Sequence, residues 1–524
     1  MKRRSMLALA AGVPVAALLP GVGTADPTGM SNDLSQFTDA QRNELHQHAV
    51  EVWRSLEAMV DPSSGMIADN IVGDLSTAAS YTSPTNLGCQ MWSTIAAREL
   101  GLISRGQARQ RIRRTLTALT TLERHRWSGQ FYNWYDPATG AKLTEWPEDG
   151  SPIHPFLSSV DNGWLAAALM IVANDDPALA RPANAILSGM NFKFYYDPYA
   201  RGADFGAGLC RGGFWPEEPP NGGVEDNYGG KGPDVWYTGH HYGTHNSETR
   251  IVSYVGIALG QIPIEHYFAV WRTQEAGCDW SWQEMKPVGD YHDYLGINVF
   301  EGAYRYRDIQ FVPSWGGSMF EALMPDLVIP ETSWAPTSWG RNHPAFVRGQ
   351  IEHGLHDAGY GHWGFSPSSD PFAGYREYGV DAMGIDTDGY TSDRERTTVD
   401  FGFEGCPGRE PQPDPTSYGD GVVTPHAVYL ALPYAPEESV AQLRRLRQEF
   451  DAHGPGGLYD AIAVGSGTVA ARYLALDQGM IMGALGNLLG DNIIRRRFTK
   501  GAVTRRLKPA LRLETFNVPA EQTL

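Results

Sequence analysis

Helical pattern dominates this chain, and it recurs about a dozen times with almost no alternating strand signal between. The periodicity and its start and stop residues predict helices over 40–59, with Asp39 as N-cap, then 84–100, 104–126, 158–174 and 177–190. Further helices are predicted over 246–259, 263–271, 316–324, 344–358, 424–432, 435–450 and 467–489. The third keeps its arginines on one face and Ile112, Leu116, Leu119 and Leu122 on the other. Strand signal is confined to a small hairpin, 131–136 with 142–146. A run of helices that must each bury one face, with no sheet to receive them, implies an all-α toroid of paired helices. Six inner helices would aim their ends at one cleft, walled by the loops 199–245, 275–313, 366–396 and 404–420, which are full of Trp, Tyr, His and Gly.

With 42% apolar and 19% charged residues among 524, the chain can bury a large core. A net charge of −18 disfavours nucleic acid and anionic membrane surfaces as partners and fits a neutral polymer. Its 15 Trp, 24 Tyr and 19 Phe divide between that core and flat surfaces on which pyranose rings stack. Residues 1–25 read as an export signal: Lys2, Arg3 and Arg4, an apolar run too short to span a bilayer, then Gly23-Thr24-Ala25. Arg3-Arg4 also fits a twin-arginine signal, so the expected location is extracytoplasmic. No other stretch is apolar enough to cross a membrane. The expected organisation is a short extension over 26–38, one domain over 39–500 and a tail over 501–524. Cys89, Cys210, Cys278 and Cys406 form no CxxC pair; disulfides and buried thiols both fit them. Oligomeric state is not legible.

Cleaving a glycosidic bond takes a proton for the leaving oxygen and a second carboxyl that attacks or activates water. Glu248 stands out: it opens an apolar helix in the company of His240, His241, Tyr242 and His245, although a helix-terminal glutamate is also a common cap. Asp161 enters the apolar run after Phe156-Leu157-Ser158, as a cap or a cleft acid. Asp370 lies on a loop and is the alternative base. Glu321 follows Ser314-Trp315-Gly316-Gly317 as a helix acid or a sugar contact, and Asp460 and Asp477 are expected to be buried hydrogen-bonding groups. Trp134, Tyr242, Trp315, Trp363 and Tyr375 are candidate sugar platforms, with His240 and Arg250 orienting polar groups. No HExxH, nucleophile elbow or phosphate loop occurs, and no metal or cofactor is called for.

These segments resemble the glucoamylase-like family that includes bacterial endo-β-1,2-glucanases and the cyclisation domain of cyclic β-1,2-glucan synthases. Thr82-Ser83-Pro84-Thr85-Asn86-Leu87-Gly88 is similar to TSPTNIG, and Gln130-Phe131-Tyr132-Asn133-Trp134-Tyr135-Asp136 to HFYNWYD. Ser247-Glu248-Thr249-Arg250 is similar to SEAR, 314–325 to SWSGSMFEYLMP, and Leu476-Asp477-Gln478-Gly479 to LDQG. The likeness runs in order over about residues 40 to 495 and implies one (α/α)6 barrel, a glucan substrate, and Glu248 as general acid. Where retaining cyclisation enzymes carry a glutamate in SES, this chain has Ser366-Pro367-Ser368, so an inverting reaction through water is implied. Trp164 replaces an acid of some relatives, and 278–308 is an insertion. A non-catalytic polysaccharide-binding protein, or a hydrolase of another cell-wall polysaccharide, fits the same pattern. A uronate lyase sits poorly with the negative charge.

Overall fold

The computed structural model describes residues 34–275, 285–385, 419–520 and 522. The export signal, Cys278, Cys406 and parts of three of the predicted loops lie outside them.

Fifteen α-helices occur among the described residues. In chain order they are α1 Asp39–Ala58, α2 Pro84–Glu99, α3 Arg105–Thr121, α4 Ser159–Asp175, α5 Pro177–Leu187, α6 Arg250–Leu259, α7 His266–Ala269, α8 Met319–Leu323, α9 Glu331–Trp334, α10 Trp339–Glu352, α11 Pro425–Ala431, α12 Pro436–Glu449, α13 Ala475–Leu489, α14 Ile493–Phe498 and α15 Ala502–Leu511.

Two layers follow from their composition. Helices α2, α4, α6, α11 and α13 are buried nearly all round and almost free of charge, so they can lie only in an interior. Helix α3 buries a single stripe, Ala108, Ile112, Thr115, Leu116 and Leu119, and α12 is similarly one-sided; both cover the inner set from outside. Helix α2 packs on α4, α4 on α6, α8 on α11, α11 on α13, and α13 back on α2. Helices α6 and α8 are joined by Arg250, which donates to the carbonyls of Glu321 (2.9 Å) and Ala322 (2.7 Å). Two glycines allow the closest approaches: a Cβ at Gly163 would sit 3.1 Å from Ile251 Cγ2, and one at Gly479 would sit 2.6 Å from Cys89 Cβ.

Local boundaries differ from expectation in instructive ways. Thr38, not Asp39, caps α1, with Gln41 completing a capping box. The helix expected from 246 starts only at Arg250, which leaves Glu248 on the approach segment. The stretch expected to be helical from 467 begins as strands Thr468–Ala470 and Arg472–Leu474. The expected hairpin at 131–146 is reduced to a bridge between Tyr135 and Lys142. The loops instead carry short antiparallel ladders, of which Val288–Tyr294 with Ile297–Tyr306 is the longest. The segment expected as a tail holds α15, which packs on α6. No helix among the described residues is long and apolar enough to cross a membrane. Cys89 and Cys210 are buried free thiols.

Candidate active site

The inner helices present their first turns, and the acids on them, to one another. Thr85, at the start of α2, donates from Oγ1 to Asp161 Oδ1, in the first turn of α4, at 2.6 Å. His426 and Asp477, in the first turns of α11 and α13, meet at 3.2 Å. Asn86 donates to the half-buried Asp69 at 2.8 Å, and Asp69 lies within the electrostatic reach of Asp161 and Asp460. The exposed ends of helix dipoles favour negative charge where these acids gather.

Glu248 is half-buried just ahead of α6. Ser247 Oγ donates to its Oε2 at 3.0 Å. Burial, joined by the negative charge of Glu321, pushes its carboxyl up to about 8. Glu321 is held differently: its Oε2 accepts from Ser314 Oγ (2.9 Å), Gly316 N (3.0 Å), Ser318 N (3.3 Å) and Ser318 Oγ (2.9 Å). Burial raises Glu321 too, but those four donors oppose it, so Glu248 is the better proton holder of the two. Burial raises the Tyr242 hydroxyl, and the charges of Glu248 and Asp161 both add to the rise, so the tyrosine lies within the electrostatic reach of both acids. Tyr242 is itself fixed by pairing with Cys210, while the neighbouring His241 donates from Nε2 to Asp197 at 2.9 Å.

Several predicted residues take other places. Arg250 spends all five N–H donors inside the protein: on Glu331 (2.7 and 2.8 Å) and on the carbonyls of Ser247, Glu321 and Ala322. It is a clamp between α6, α8 and α9 and has no donor left for a sugar. Trp363 is 2% exposed and belongs to the core, so it offers no platform. Asp370 pairs with Arg376 at 3.1 Å and braces the turn through Phe372 N at 2.9 Å. Trp134 is half-buried and packs edge-on against Tyr81, 5.5 Å between ring centres. His240 is exposed beside Tyr242, and Trp315 is half-buried on the loop that caps Glu321. Tyr375 is 53% exposed, within electrostatic reach of Asp477, Asp460 and Glu248.

Asp460 and Asp477 are both buried, within electrostatic reach of each other. Burial first, and then Asp477, raise Asp460, while burial lifts Asp477 to about 7. Asp69 was not anticipated. It directly precedes the short strand Asn70–Val72, where there is no periodic signal, and its contact with Asn86, 17 residues away, is what ties it to the start of α2.

A family of putative glucoamylases matches residues 288–502, and a family of proteins of unknown function matches residues 47–196. The chain is 27% identical over 266 residues to cyclic β-(1,2)-glucan synthase NdvB of Rhizobium meliloti (strain 1021), covering 48% of this chain and 7% of that protein. It therefore spans a small fraction of that relative's length. Among solved structures, an endo-β-1,2-glucanase of Chitinophaga pinensis has TM-score 0.58 and 18% identity, over 90% of this chain and 97% of that one. An endo-β-1,2-glucanase of Talaromyces funiculosus has TM-score 0.62 and 12% identity, over 94% of each. These two show a shared helix-rich fold. The resemblance to the glucoamylase-like family read from the motifs is thereby shown.

Proposed function

We propose that this protein is an exported glycoside hydrolase that cleaves a β-linked glucan, β-1,2-glucan first among candidates, with inversion, in the cleft of an (α/α)6 barrel. The observation that carries the reading is Glu248: a half-buried carboxyl that burial and the charge of Glu321 push up to about 8, just ahead of α6, with Asp161 in the first turn of α4, the helix packed on α6. Protonated Glu248 donates to the leaving oxygen, directly or through a substrate hydroxyl, as the C1–O bond breaks. Asp161 accepts a proton from the water whose oxygen bonds to C1. Asp370, tied to Arg376, is the weaker candidate for that base. Pro367 stands where a retaining relative has its glutamate, which supports water as the nucleophile. The helical neighbours named above, and the NdvB relative, favour β-1,2-linked glucose as substrate.

The test is chromatography of products from linear β-1,2-, β-1,3-, β-1,4- and α-glucans, with the anomer of the first product followed by proton NMR. New reducing ends from a β-glucan, released as the α-anomer, are expected. Binding without any new reducing ends would leave a polysaccharide-binding protein instead.

A further inference from the structure

Two groups of three aromatic rings border the helix end that carries Asp161, and neither group belongs to the acid cluster. Tyr81, Trp134 and Trp146 form the first, with ring centres 5.2 to 5.6 Å apart. Their planes meet at 82°, 83° and 59°, so no two are stacked face to face. This group is wired to the site. Asn70 Nδ2 donates to Tyr81 Oη (3.1 Å) and to Asp69 Oδ2 (3.2 Å). Asp69 in turn accepts from Asn86, next to the Thr85 that holds Asp161. Trp146 comes from a loop whose sequence neighbours are mostly exposed, and its half-buried ring meets Tyr81 and Trp134.

The second group is Phe156, Trp215 and Trp236. Phe156 and Trp215 lie 4.6 Å apart, and Trp215 faces Trp236 in the ladder. Phe156 leads directly into the strand Leu157–Ser158 and thus into α4, and its carbonyl accepts from Asn133 N (2.8 Å), the residue before Trp134. The two groups are therefore adjacent, and all six rings are half-buried.

We propose that these rings are a continuous wall of additional glycosyl-binding sites, which takes consecutive glucose units of one β-linked chain beyond those held at the acids. Aromatic faces and the C–H faces of pyranoses are complementary, and unstacked, half-exposed indoles next to a carboxylate cleft suit a neutral polymer. The proposal rests on the glucan reading above and makes the protein selective for long chains.

The test uses the full-length protein and linear β-1,2-gluco-oligosaccharides of increasing length. In the wild type, kcat/KM rises with chain length. Trp146→Ala and Trp215→Ala flatten that rise, with a loss of about 10-fold on the longest chains. Tyr291→Ala, an exposed aromatic on the outer hairpin, keeps it. Calorimetric binding of the longest chain to Glu248→Gln, with and without each tryptophan change, gives a readout independent of turnover. Weaker binding in the double variants supports the wall even if no glucan is hydrolysed, in which case the hydrolase reading alone fails. Unchanged affinity and unchanged length dependence overturn the wall while leaving the hydrolase reading intact. Circular dichroism and thermal melts confirm that each variant is folded.

Discussion

Glu321 raises the proton affinity of Glu248 while keeping its own Oε2 occupied by four donors. The asymmetry gives one proton to one of two neighbouring acids, the arrangement a general acid requires. A catalytic acid must be protonated to act, so kcat/KM on the substrate should hold through neutral pH and fall about tenfold per pH unit above about 8. In Glu321→Gln the negative neighbour is gone, and the basic limb should move to lower pH. A limb that stays in place would remove Glu321 from the electrostatics of the site.

Stability should report the same proton. The folded carboxyl of Glu248 keeps its proton up to about 8, whereas the unfolded one releases it near 4.5. The unfolded state therefore binds fewer protons in that window, and stability falls as pH rises from 4.5 to 8. Glu248→Gln cannot ionise. Its melting temperature should match the wild type near pH 5 and exceed it near pH 9, as scanning calorimetry would show.

Arg250 is predicted to be structural. Arg250→Ala leaves Glu331 buried with only His343 and Tyr254 as partners, and frees three carbonyls. Removing one member of a buried pair costs about 3–5 kcal/mol, so a large drop in the urea midpoint is expected, with little folded protein lost to any purely binding defect. An Arg250→Ala protein of native stability that merely binds glucan poorly would restore the sugar-contact role.

Glu514, near the end of the chain, reaches the segment that carries Glu248: it lies 3.1 Å from His245 and 2.7 Å from Tyr267 Oη, and pairs with Arg272. Burial alone would raise its carboxyl, but Arg272 and then His245 outweigh it and hold it at about 2. The stabilisation is present above 4.5 and is lost as pH falls toward 2. Glu514→Gln should be less stable than the wild type at pH 7 by about 3–5 kcal/mol, with the gap narrowing below pH 4.5 in denaturant titrations.

The helical layout was legible because α2, α4, α6 and α13 are apolar on every face, a pattern that only an interior accepts. Glu248 and Asp161 were legible as acids placed against such helices. What escaped is non-local. Arg250 reads as a cleft cation until its partner Glu331, 81 residues away, is in place. Trp363 sits in a Gly-rich loop that looks like sugar-binding chemistry, yet α12 donates from Gln442 to its carbonyl (3.0 Å) and the indole is sealed into the core. Asp69 has no periodicity around it, and the aromatic groups assemble from segments up to 80 residues apart in the chain. Most of the ladders in the loops pair two or three residues each, below the length at which alternation can be read; the exception, Val288–Tyr294 with Ile297–Tyr306, pairs seven.

The most direct measurement is reducing-end release from linear β-1,2-glucan by the wild type and by Glu248→Gln at pH 7, with both shown by calorimetry to be folded. The account predicts steady release by the wild type and a loss of about 100-fold or more in the variant. A Glu248→Gln protein that releases reducing ends at the wild-type rate would contradict it.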